Sequence, residues 1–491
     1  MENKSLEKII ESRLEKLKKI RDLGVNPYPY EFKCSHTTSQ VTEDIVGKKV
    51  SVAGRVMSLR NMGKAAFTNI QDESGRVQLY IAKDNVGENG YNLFKLIDIG
   101  DHIGVSGKIF ITKTGAVTVK VKTLTLLSKN LRPIPDVKEK DGKKYNFVSD
   151  KEFRYRKRYL DLIINPETKE NYVKRFKIVN SIREFLNTNG YIEVETPVLQ
   201  PVYGGANAKP FKTFHNALDQ EFYLRIATEL YLKQLIVGGF EKVYEMSKDF
   251  RNEGIDRSHN PEFTMLEFYQ AYTDYNFMMD FVEKMFKKVA NDLDMKIISW
   301  DGHKINLSKK FARKSMDELI QEHTGESVDL SDVKAVLNLC KKLDLKVKKS
   351  DGLAKMIDAI MRKKIEPNLI NPTYVINHPV EISPLAKINR DGDKNFTERF
   401  ELFIVGMEFA NGFSELNDPI DQRNRFEDQS KKREDGDENA FPVDENFLEA
   451  IETGMPPTAG VGIGIDRLVM LFIDTRWIRD AILFPTLKSL K

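Results

Sequence analysis

Residues 250–272 constrain the fold of this chain more than any other stretch, because they read as a strand, a polar loop and a second strand. Arg251 ends the first strand, the loop holds Glu253 and His259, and residues 262–272 form the second strand. Side chains alternate across a strand. One face of the second strand therefore carries Phe263, Met265, Glu267, Tyr269 and Ala271.

This face combines three recognition chemistries. An aromatic ring suits a flat base, a carboxylate such as Glu267 suits a cation, and the fork of Arg251 suits two phosphate oxygens. The stretch therefore predicts one platform that holds a nucleotide at one end and a small cationic molecule at the other.

Residues 399–418 form a second informative stretch, in which apolar, strand-like sequence carries Glu401, Glu408 and Glu415. Buried carboxylates need partners, and no Arg or Lys lies between the first and the last of them. A metal ion or a cationic ligand is the expected partner. Glu401 and Glu408 have opposite parity, so a β-bulge near Gly406 is expected to bring them to one face. The alternative is a pair of half-exposed acids on an edge strand.

Residues 460–467 are rich in glycine and lead into an apolar helix that Arg467 opens. Glycines at such spacing let a backbone approach closely. The spacing differs from that of a dinucleotide-binding fingerprint, and no βαβ unit surrounds it.

Length and composition indicate the number of domains and the cellular compartment. A chain of 491 residues suggests two or three domains. Cys34 and Cys340 lie far apart and fit neither a disulfide framework nor a zinc site, which agrees with a reducing compartment. No signal-like start or long apolar run is visible, so a cytoplasmic protein without a membrane span is expected.

Residues 1–46 are expected to form an N-terminal helix, over Ser5–Leu23, and a linker. Leu6, Ile10, Leu14, Leu17 and Ile20 make its apolar stripe. The opposite face is charged. It either is the solvated side of a helix packed on a neighbouring domain or touches nucleic acid.

Residues 47–131 alternate in five short runs, with a helical stretch, Tyr91–Ile97, after the third. That order predicts an OB-fold barrel. Such barrels stack bases of single-stranded nucleic acid on exposed aromatic rings. Phe67 is the candidate ring and Gln78 the candidate base reader. Phe67 could instead belong to the core, but the basic residues around it favour binding.

The rest of the chain predicts a connector, 132–165, and one large domain, 166–491. Its first helix has a stripe expected to be buried, formed by Tyr172, Phe176, Val179, Ile182 and Leu186. An insertion at about 277–365 is expected to be largely helical.

Together these motifs resemble the class II aminoacyl-tRNA synthetases. The helix and strand that end at Pro197 resemble motif 1 of the family, residues 250–267 resemble motif 2, and residues 462–467 resemble motif 3. Residues 411–415 add a specific match, and the resemblance runs from about Gly47 onward. It implies an α+β multidomain protein, with an N-terminal OB-fold barrel and a catalytic domain built on a six-stranded antiparallel sheet flanked by helices.

The resemblance points to the lysine-specific branch of that family. It implies activation of lysine with ATP and Mg2+, transfer to tRNA(Lys), and a homodimer formed through motif 1. Arg251 and Arg467 would be catalytic. The residues implied for ATP are Arg251, Glu253, His259, Asn260, Phe263, Glu401 and Arg467.

Three further sets follow from the same resemblance. Those implied for lysine are Gly205, Glu229, Glu267, Tyr269, Asn411, Phe413 and Glu415. The metal ligands would be Glu401 and Glu408, and the anticodon contacts Phe67 and Gln78. Ala116 stands where many bacterial relatives carry an anticodon-reading glutamate, so part of that readout departs from the family pattern.

Three alternatives stay open at this stage. An aspartate- or asparagine-type synthetase shares the layout, but the acidic pocket argues against it. A lysine ligase that acts on a protein resembles the catalytic domain but lacks the barrel. A non-catalytic tRNA-binding protein would have no need of Arg251, Arg467, Glu401 and Glu408.

Overall fold

The computed structural model divides the chain into two compact units, Met1–Asp150 and Lys151–Lys491. Each unit is described by itself below. The residues that the structure describes are 2–135, 137–140, 143–146, 150–348, 352–434, 440 and 442–489. The expected connector, 132–165, and the expected insertion, 277–365, therefore lie partly outside them.

The first unit is a closed five-stranded barrel with an N-terminal helix. Its elements are α1 Glu2–Asp22, β1 Lys49–Asn61, β2 Ala65–Gln71, β3 Arg76–Ala82, α2 Lys83–Phe94, β4 His102–Ile111, β5 Val117–Ser128, β6 Val137–Lys140 and β7 Lys143–Asn146. The barrel order is β1-β2-β3-β5-β4, and only the β3–β5 pairing is parallel. This confirms the predicted barrel.

The side chains of β2 and β3 alternate between the interior and the surface of the barrel, since every second residue is buried. The helix after β3 begins at Lys83 rather than at the expected Tyr91. Its first half is polar and contains Gly87, whose positive φ of 73° interrupts the helix. Because this half lacks apolar residues at helical spacing, the sequence pattern does not predict it as helix.

Helix α1 buries less of its stripe than its spacing predicts. Leu17 and Ile20 are buried, whereas Leu14 is 46% exposed. Arg13 is buried in the same turn instead and donates to the backbone oxygen of Asn130 at 3.2 Å. A hydrogen-bonded arginine therefore takes a place that the pattern assigns to apolar residues.

The second unit is a large mixed sheet with helices. The helices are α3 Lys151–Arg156, α4 Arg158–Ile164, α5 Pro166–Thr188, α6 Glu229–Val237, α7 Tyr275–Asp292, α8 Met316–Thr324, α9 Val333–Lys342, α10 Gly352–Ile360, α11 Pro419–Glu434, α12 Glu445–Glu452, α13 Ile465–Phe472 and α14 Ile478–Ala481. The first strands are β8 Ile192–Glu193, β9 Leu199–Gln200, β10 Lys212–His215, β11 Gln220–Leu224, β12 Lys242–Phe250 and β13 Glu262–Ala271. The others are β14 Ile297–Trp300, β15 His303–Asn306, β16 Ala312–Ser315, β17 Thr373–Pro379, β18 Phe396–Ile404, β19 Met407–Ser414 and β20 Thr458–Gly464.

The main sheet has eight strands in the order β16-β17-β18-β19-β20-β13-β12-β8. Its six central strands are antiparallel, as predicted, and a short parallel strand extends each edge. The stretch expected to be a helical insertion also contains the β14–β15 hairpin and β16.

Helices α7 and α13 cover one face of the sheet. Asp274 caps α7 by accepting from the backbone N–H of Asn276 at 3.0 Å. Leu266 and Phe268 of β13 point into the apolar core under these helices. The residues that alternate with them, Glu267 and Tyr269, therefore belong to the other face.

Helix α5 departs from its predicted stripe at Phe176 and, to a lesser degree, at Val179, which is only partly buried. Tyr172, Ile182 and Leu186 are buried, but Phe176 is 50% exposed. Val173, one turn earlier, is exposed as well. An apolar strip of this helix is thus left uncovered.

The β18–β19 hairpin turns at Val405 and Gly406, which have φ of 47° and 68°. A β-bulge lies near Gly406, as expected: Phe409 is the extra residue, because Leu402 pairs with Ala410 and Phe403 with Glu408. The expected consequence still holds, since Glu408 lies opposite Phe403, which shares its face with Glu401.

Candidate functional site

A cavity of about 410 Å³ opens on the face of the sheet away from α7. Strands β13, β19 and β20 form its floor, and the loop between β12 and β13 and the start of α13 form its rim. The sequence-predicted residues that line it are Gly205, Glu229, Arg251, Glu253, His259, Asn260, Phe263, Glu267, Tyr269, Glu408, Asn411, Phe413 and Arg467.

Four predicted residues do not line this cavity. Glu415 is buried directly behind it, and Glu401 lies on the same strand face as Glu408. Phe67 and Gln78 belong to the barrel unit.

One end of the cavity is acidic and dry. Glu267, Glu229 and Glu415 are 6%, 6% and 1% exposed. Tyr269 donates its hydroxyl hydrogen to Glu267 Oε2 at 3.0 Å. Burial, and then the charges of Asp249 and Glu229, raises the pKa of Glu267 to about 8.

The expectation that Glu415 takes a metal ion or a cationic ligand as its partner overlooked a cation of the chain itself. Lys233 is fully buried, bonds Glu229 Oε1 at 2.5 Å and pairs with Glu415. It lies on α6, far in sequence from residues 399–418, so inspection of that stretch alone misses it. Oε1 of Glu415 is nevertheless buried without a hydrogen-bond partner in the described part of the chain.

Two glycines allow this end to close so tightly. A Cβ on Gly460 would collide with the Tyr269 ring and lie 2.5 Å from Glu415 Oε1. A Cβ on Gly205, whose φ is 84°, would lie 3.1 Å from the Cβ of Glu229. Glycine at both positions follows from close approach, which is the reason that the sequence suggests for Gly460.

The opposite end carries the guanidinium groups. The Arg251 guanidinium lies 5.1 Å from the centroid of the Phe263 ring. Arg467 donates to the backbone oxygen of Glu408 at 3.0 Å and to His259 Nε2 at 3.2 Å. Because a guanidinium only donates, His259 Nε2 accepts, and its Nδ1–H points to Asp256, 2.9 Å away.

A buried ion pair fixes the helix that carries Arg467. Arg175 of α5 donates to Asp466 at 2.5 Å and to Thr264 at 2.9 Å. Asp466 in turn accepts from the backbone N–H of Thr264 at 2.7 Å. These contacts join α5, α13 and β13 at the cavity rim, and no motif in the sequence singles them out.

Glu401 and Glu408 also have cationic partners, which the sequence argument missed. Arg399 bonds Glu401 at 2.6 Å, and Arg467 lies 3.3 Å from Glu408. Glu366 is a third acid nearby: burial, and then the charge of Glu401, raises its pKa to about 7. Among the described residues, no group of three or more His, Cys, Asp and Glu side chains is arranged to hold a metal ion.

The barrel unit carries its own aromatic surface. Phe67 lies on the outer face of β2, not in the core, with its ring centroid 5.1 Å from that of Tyr80. Tyr80 lies 6.0 Å from Phe110, so three rings form a row. Gln78 accepts from Thr118 at 2.8 Å through its amide oxygen, so its amide nitrogen is the remaining donor of that side chain. The sequence argument missed Tyr80 and Phe110.

Comparison with known proteins gives two family matches. Residues 150–488 match the model described as "tRNA synthetases class II (D, K and N)". Residues 50–127 match the model described as "OB-fold nucleic acid binding domain".

Full-length relatives give the same result. A lysine–tRNA ligase of Carboxydothermus hydrogenoformans is 49% identical over 99% of this chain and 99% of that protein. One of Thermoanaerobacter pseudethanolicus is 50% identical over 98% of this chain and 96% of the relative. A lysine–tRNA ligase of Enterococcus faecalis is 48% identical over 97% of this chain and 96% of that protein.

The raised pKa of Glu267 predicts a pH-dependent cation site. Below about pH 8 the empty site holds a proton on Glu267, which a bound ammonium group must displace. We expect the affinity for n-pentylammonium, measured by calorimetry, to rise by up to about tenfold per pH unit between roughly pH 6.5 and 8.

The matched variants are Glu267→Gln and Glu262→Gln, the latter at the exposed start of the same strand. The first should bind weakly and without this pH dependence, and the second should behave as the unmodified chain. A flat pH profile in the unmodified chain would contradict the assignment.

Proposed function

Because the chain belongs to the class II tRNA synthetases, we propose that it is a lysine–tRNA ligase, which activates lysine with ATP and transfers it to tRNA(Lys). This membership confirms the resemblance drawn from the sequence motifs. Family membership alone leaves lysine, aspartate and asparagine as substrates, so the choice among them depends on the pocket.

The observation that carries the proposal is the buried acid Glu415, whose Oε1 has no hydrogen-bond partner in the described part of the chain and lies 2.5 Å from where a Cβ on Gly460, in the cavity wall, would stand. Glu229 and Glu267 stand beside it. An aspartate side chain there would add a charge of the same sign and leave these acids unpaired, which costs several kcal/mol. A side-chain ammonium group supplies the missing partner.

The two ends of the cavity orient the substrate. The acids attract the ammonium groups of lysine, and Arg251 attracts its carboxylate and the α-phosphate of ATP. Asn411 and Phe413 line the wall between them, and Gly205 leaves room for the α-amino group. Lysine therefore lies with its carboxylate toward the nucleotide.

The first step is displacement at phosphorus. The lysine carboxylate, already ionised at neutral pH, attacks the α-phosphorus of ATP, a new C–O–P linkage forms, and pyrophosphate leaves. No general base is needed. Arg251 and Arg467 stabilise the charge that develops on the phosphate oxygens.

The nucleotide contacts follow from the same cavity. Phe263 offers a ring face to the adenine, and Arg467 offers a guanidinium plane opposite it. Glu253, at the exposed rim, is assigned to the adenine edge, and His259 and Asn260 to the phosphate side.

We assign Mg2+ to Glu401 and Glu408, because they share one strand face beside the cavity. Two carboxylates are enough protein ligands for Mg2+, because this ion commonly binds one or two carboxylates together with phosphate oxygens and water. When bound, the ion supplies positive charge to the phosphates. Arg399 and Arg467 hold the two carboxylates in place meanwhile.

In the second step, the terminal ribose hydroxyl of the tRNA attacks the lysyl carbonyl, and AMP leaves. We assign the anticodon to the outer barrel face, where Phe67, Tyr80 and Phe110 provide stacking surfaces. Gln78 can read a base edge beside them.

We infer a homodimer from the uncovered apolar residues around α5. Val173 and Phe176 are 42% and 50% exposed, and Ile192, Val198 and Leu199 are exposed in the segment that follows. Apolar surface left uncovered on a helix and on the segment after it is typical of protein interfaces.

We also infer a cytoplasmic location, since both cysteines are free and tRNA is the acceptor. No helix in the described ranges is long and apolar enough to cross a membrane. Recovery of the chain in a membrane or secreted fraction of its cells would contradict this location.

The proposed function predicts ATP–pyrophosphate exchange that depends on lysine and on Mg2+. Arginine, aspartate and asparagine should not support it. Glu267→Gln should lower lysine-dependent exchange about 100-fold or more while ATP still binds, and Glu262→Gln should have no effect. Exchange with aspartate or asparagine would identify a different synthetase, and no exchange at all would leave a tRNA-binding protein.

The anticodon assignment predicts a selective effect of Phe67→Ala. Loss of one stacking surface, worth about 1–3 kcal/mol, should raise the KM for tRNA(Lys) roughly tenfold and leave exchange unchanged. Ile111→Ala, at another exposed apolar side chain of the barrel, is the control. An unchanged KM for tRNA would remove Phe67 from the interface.

The dimer assignment predicts that Phe176→Glu dissociates the protein in sedimentation-velocity runs at micromolar concentration, because a carboxylate would be buried without a partner. Ile420→Glu, at a residue 74% exposed on α11, should leave the dimer intact. A monomeric unmodified chain would refute the dimer.

A further inference from the structure

Lys233 contacts three of the residues assigned to lysine recognition, yet it does not line the cavity itself. Its Nζ bonds Glu229 Oε1 at 2.5 Å and pairs with Glu415. The same nitrogen lies 5.4 Å from the centroid of the Phe413 ring. No part of the side chain is exposed.

The ammonium group of Lys233 is charged despite its burial. Burial alone would lower its pKa, but Glu229 and Glu415 outweigh that effect and raise it. Buried ion pairs add little stability, because desolvation offsets much of their attraction. Stability is therefore a weak reason for this arrangement.

The arrangement divides the oxygens of the two acids. Lys233 takes Oε1 of Glu229 and Oε2 of Glu415. Oε1 of Glu415 stays buried without a hydrogen-bond partner, and Oε2 of Glu229 lies toward Gly205, 3.8 Å from where a Cβ would stand. One oxygen of each acid is thus left outside the contacts of Lys233.

We propose that Lys233 is a positioning residue that sets amino-acid recognition: from behind the pocket wall, its ammonium group fixes Glu229, Glu415 and the Phe413 ring so that each acid presents one oxygen to the substrate's ammonium groups. This proposal rests on the proposed lysine specificity and names a residue outside the implied lysine set. Lys233 touches no substrate and acts only through its three neighbours.

Exchange kinetics of Lys233→Met in the full-length chain test it. The KM for lysine should rise roughly 10- to 100-fold, whereas the KM for ATP should stay within about twofold. Without the nearby positive charge, both acids hold their protons more tightly. The ratio of variant to unmodified KM for lysine should therefore shrink as the pH rises from about 7 to 8.5.

Lys233→Gln keeps hydrogen-bond donors for the acids but removes the charge, so it should recover part of the lost KM and keep the pH trend. Lys287→Met is the matched control, because Lys287 bonds Glu283 one helical turn away, at 2.6 Å, outside the site. It should leave the KM for lysine unchanged.

Four results would overturn the proposal: an unchanged KM for lysine in both Lys233 variants, an equal loss for ATP and lysine, a KM ratio independent of pH, or failure of both variants to fold. The last would show that Lys233 serves folding rather than recognition. Absence of lysine-dependent exchange in the unmodified chain would instead refute the proposed function, so the two failures are distinguishable.

Discussion

Three carboxylates kept out of water at one end of a cavity are the constraint on which the second unit depends. Glu229, Glu267 and Glu415 come from α6, β13 and the end of β19, and like charges at such burial repel strongly. The chain relieves the repulsion in two ways: Lys233 pairs with two of the acids, and the third has a pKa of about 8 and so keeps its proton near neutral pH. One lysine for two acids leaves a net negative charge at this end, which the ammonium group of a substrate can balance.

The sheet tolerates these buried acids because one of its faces packs in the core and the other forms the cavity. Leu266 and Phe268 are buried under α7 and α13, and Glu267 and Tyr269, which alternate with them, lie on the opposite face. The bulge at Phe409 then brings Glu401 and Glu408 to one face. Alternate residues of a strand therefore serve different purposes: those on one face stabilise the core, and those on the other recognise the substrate.

Period-two patterning predicts much of this from the sequence. It identifies the barrel strands, β13 and its functional face, and the need for a bulge between Glu401 and Glu408. It fails where the partner is distant in the chain: Lys233, Arg175 and Glu366 reach the site only through tertiary packing. It also fails for the first half of α2, whose glycines and polar residues hide the helix, and for Phe176, since spacing reports an apolar stripe but not what covers it.

The charge distribution along the cavity explains why one substrate orientation is favoured. Arg251 and Arg467 stand at one end and the acids at the other, so a zwitterionic amino acid with a second ammonium group gains at both ends in only one direction. Reversal would place its carboxylate against Glu415 and its ammonium group against Arg251. Because Glu267 keeps its proton near neutral pH until a cation arrives, the empty pocket avoids part of the repulsion among its acids, and binding of an ammonium group is coupled to release of a proton.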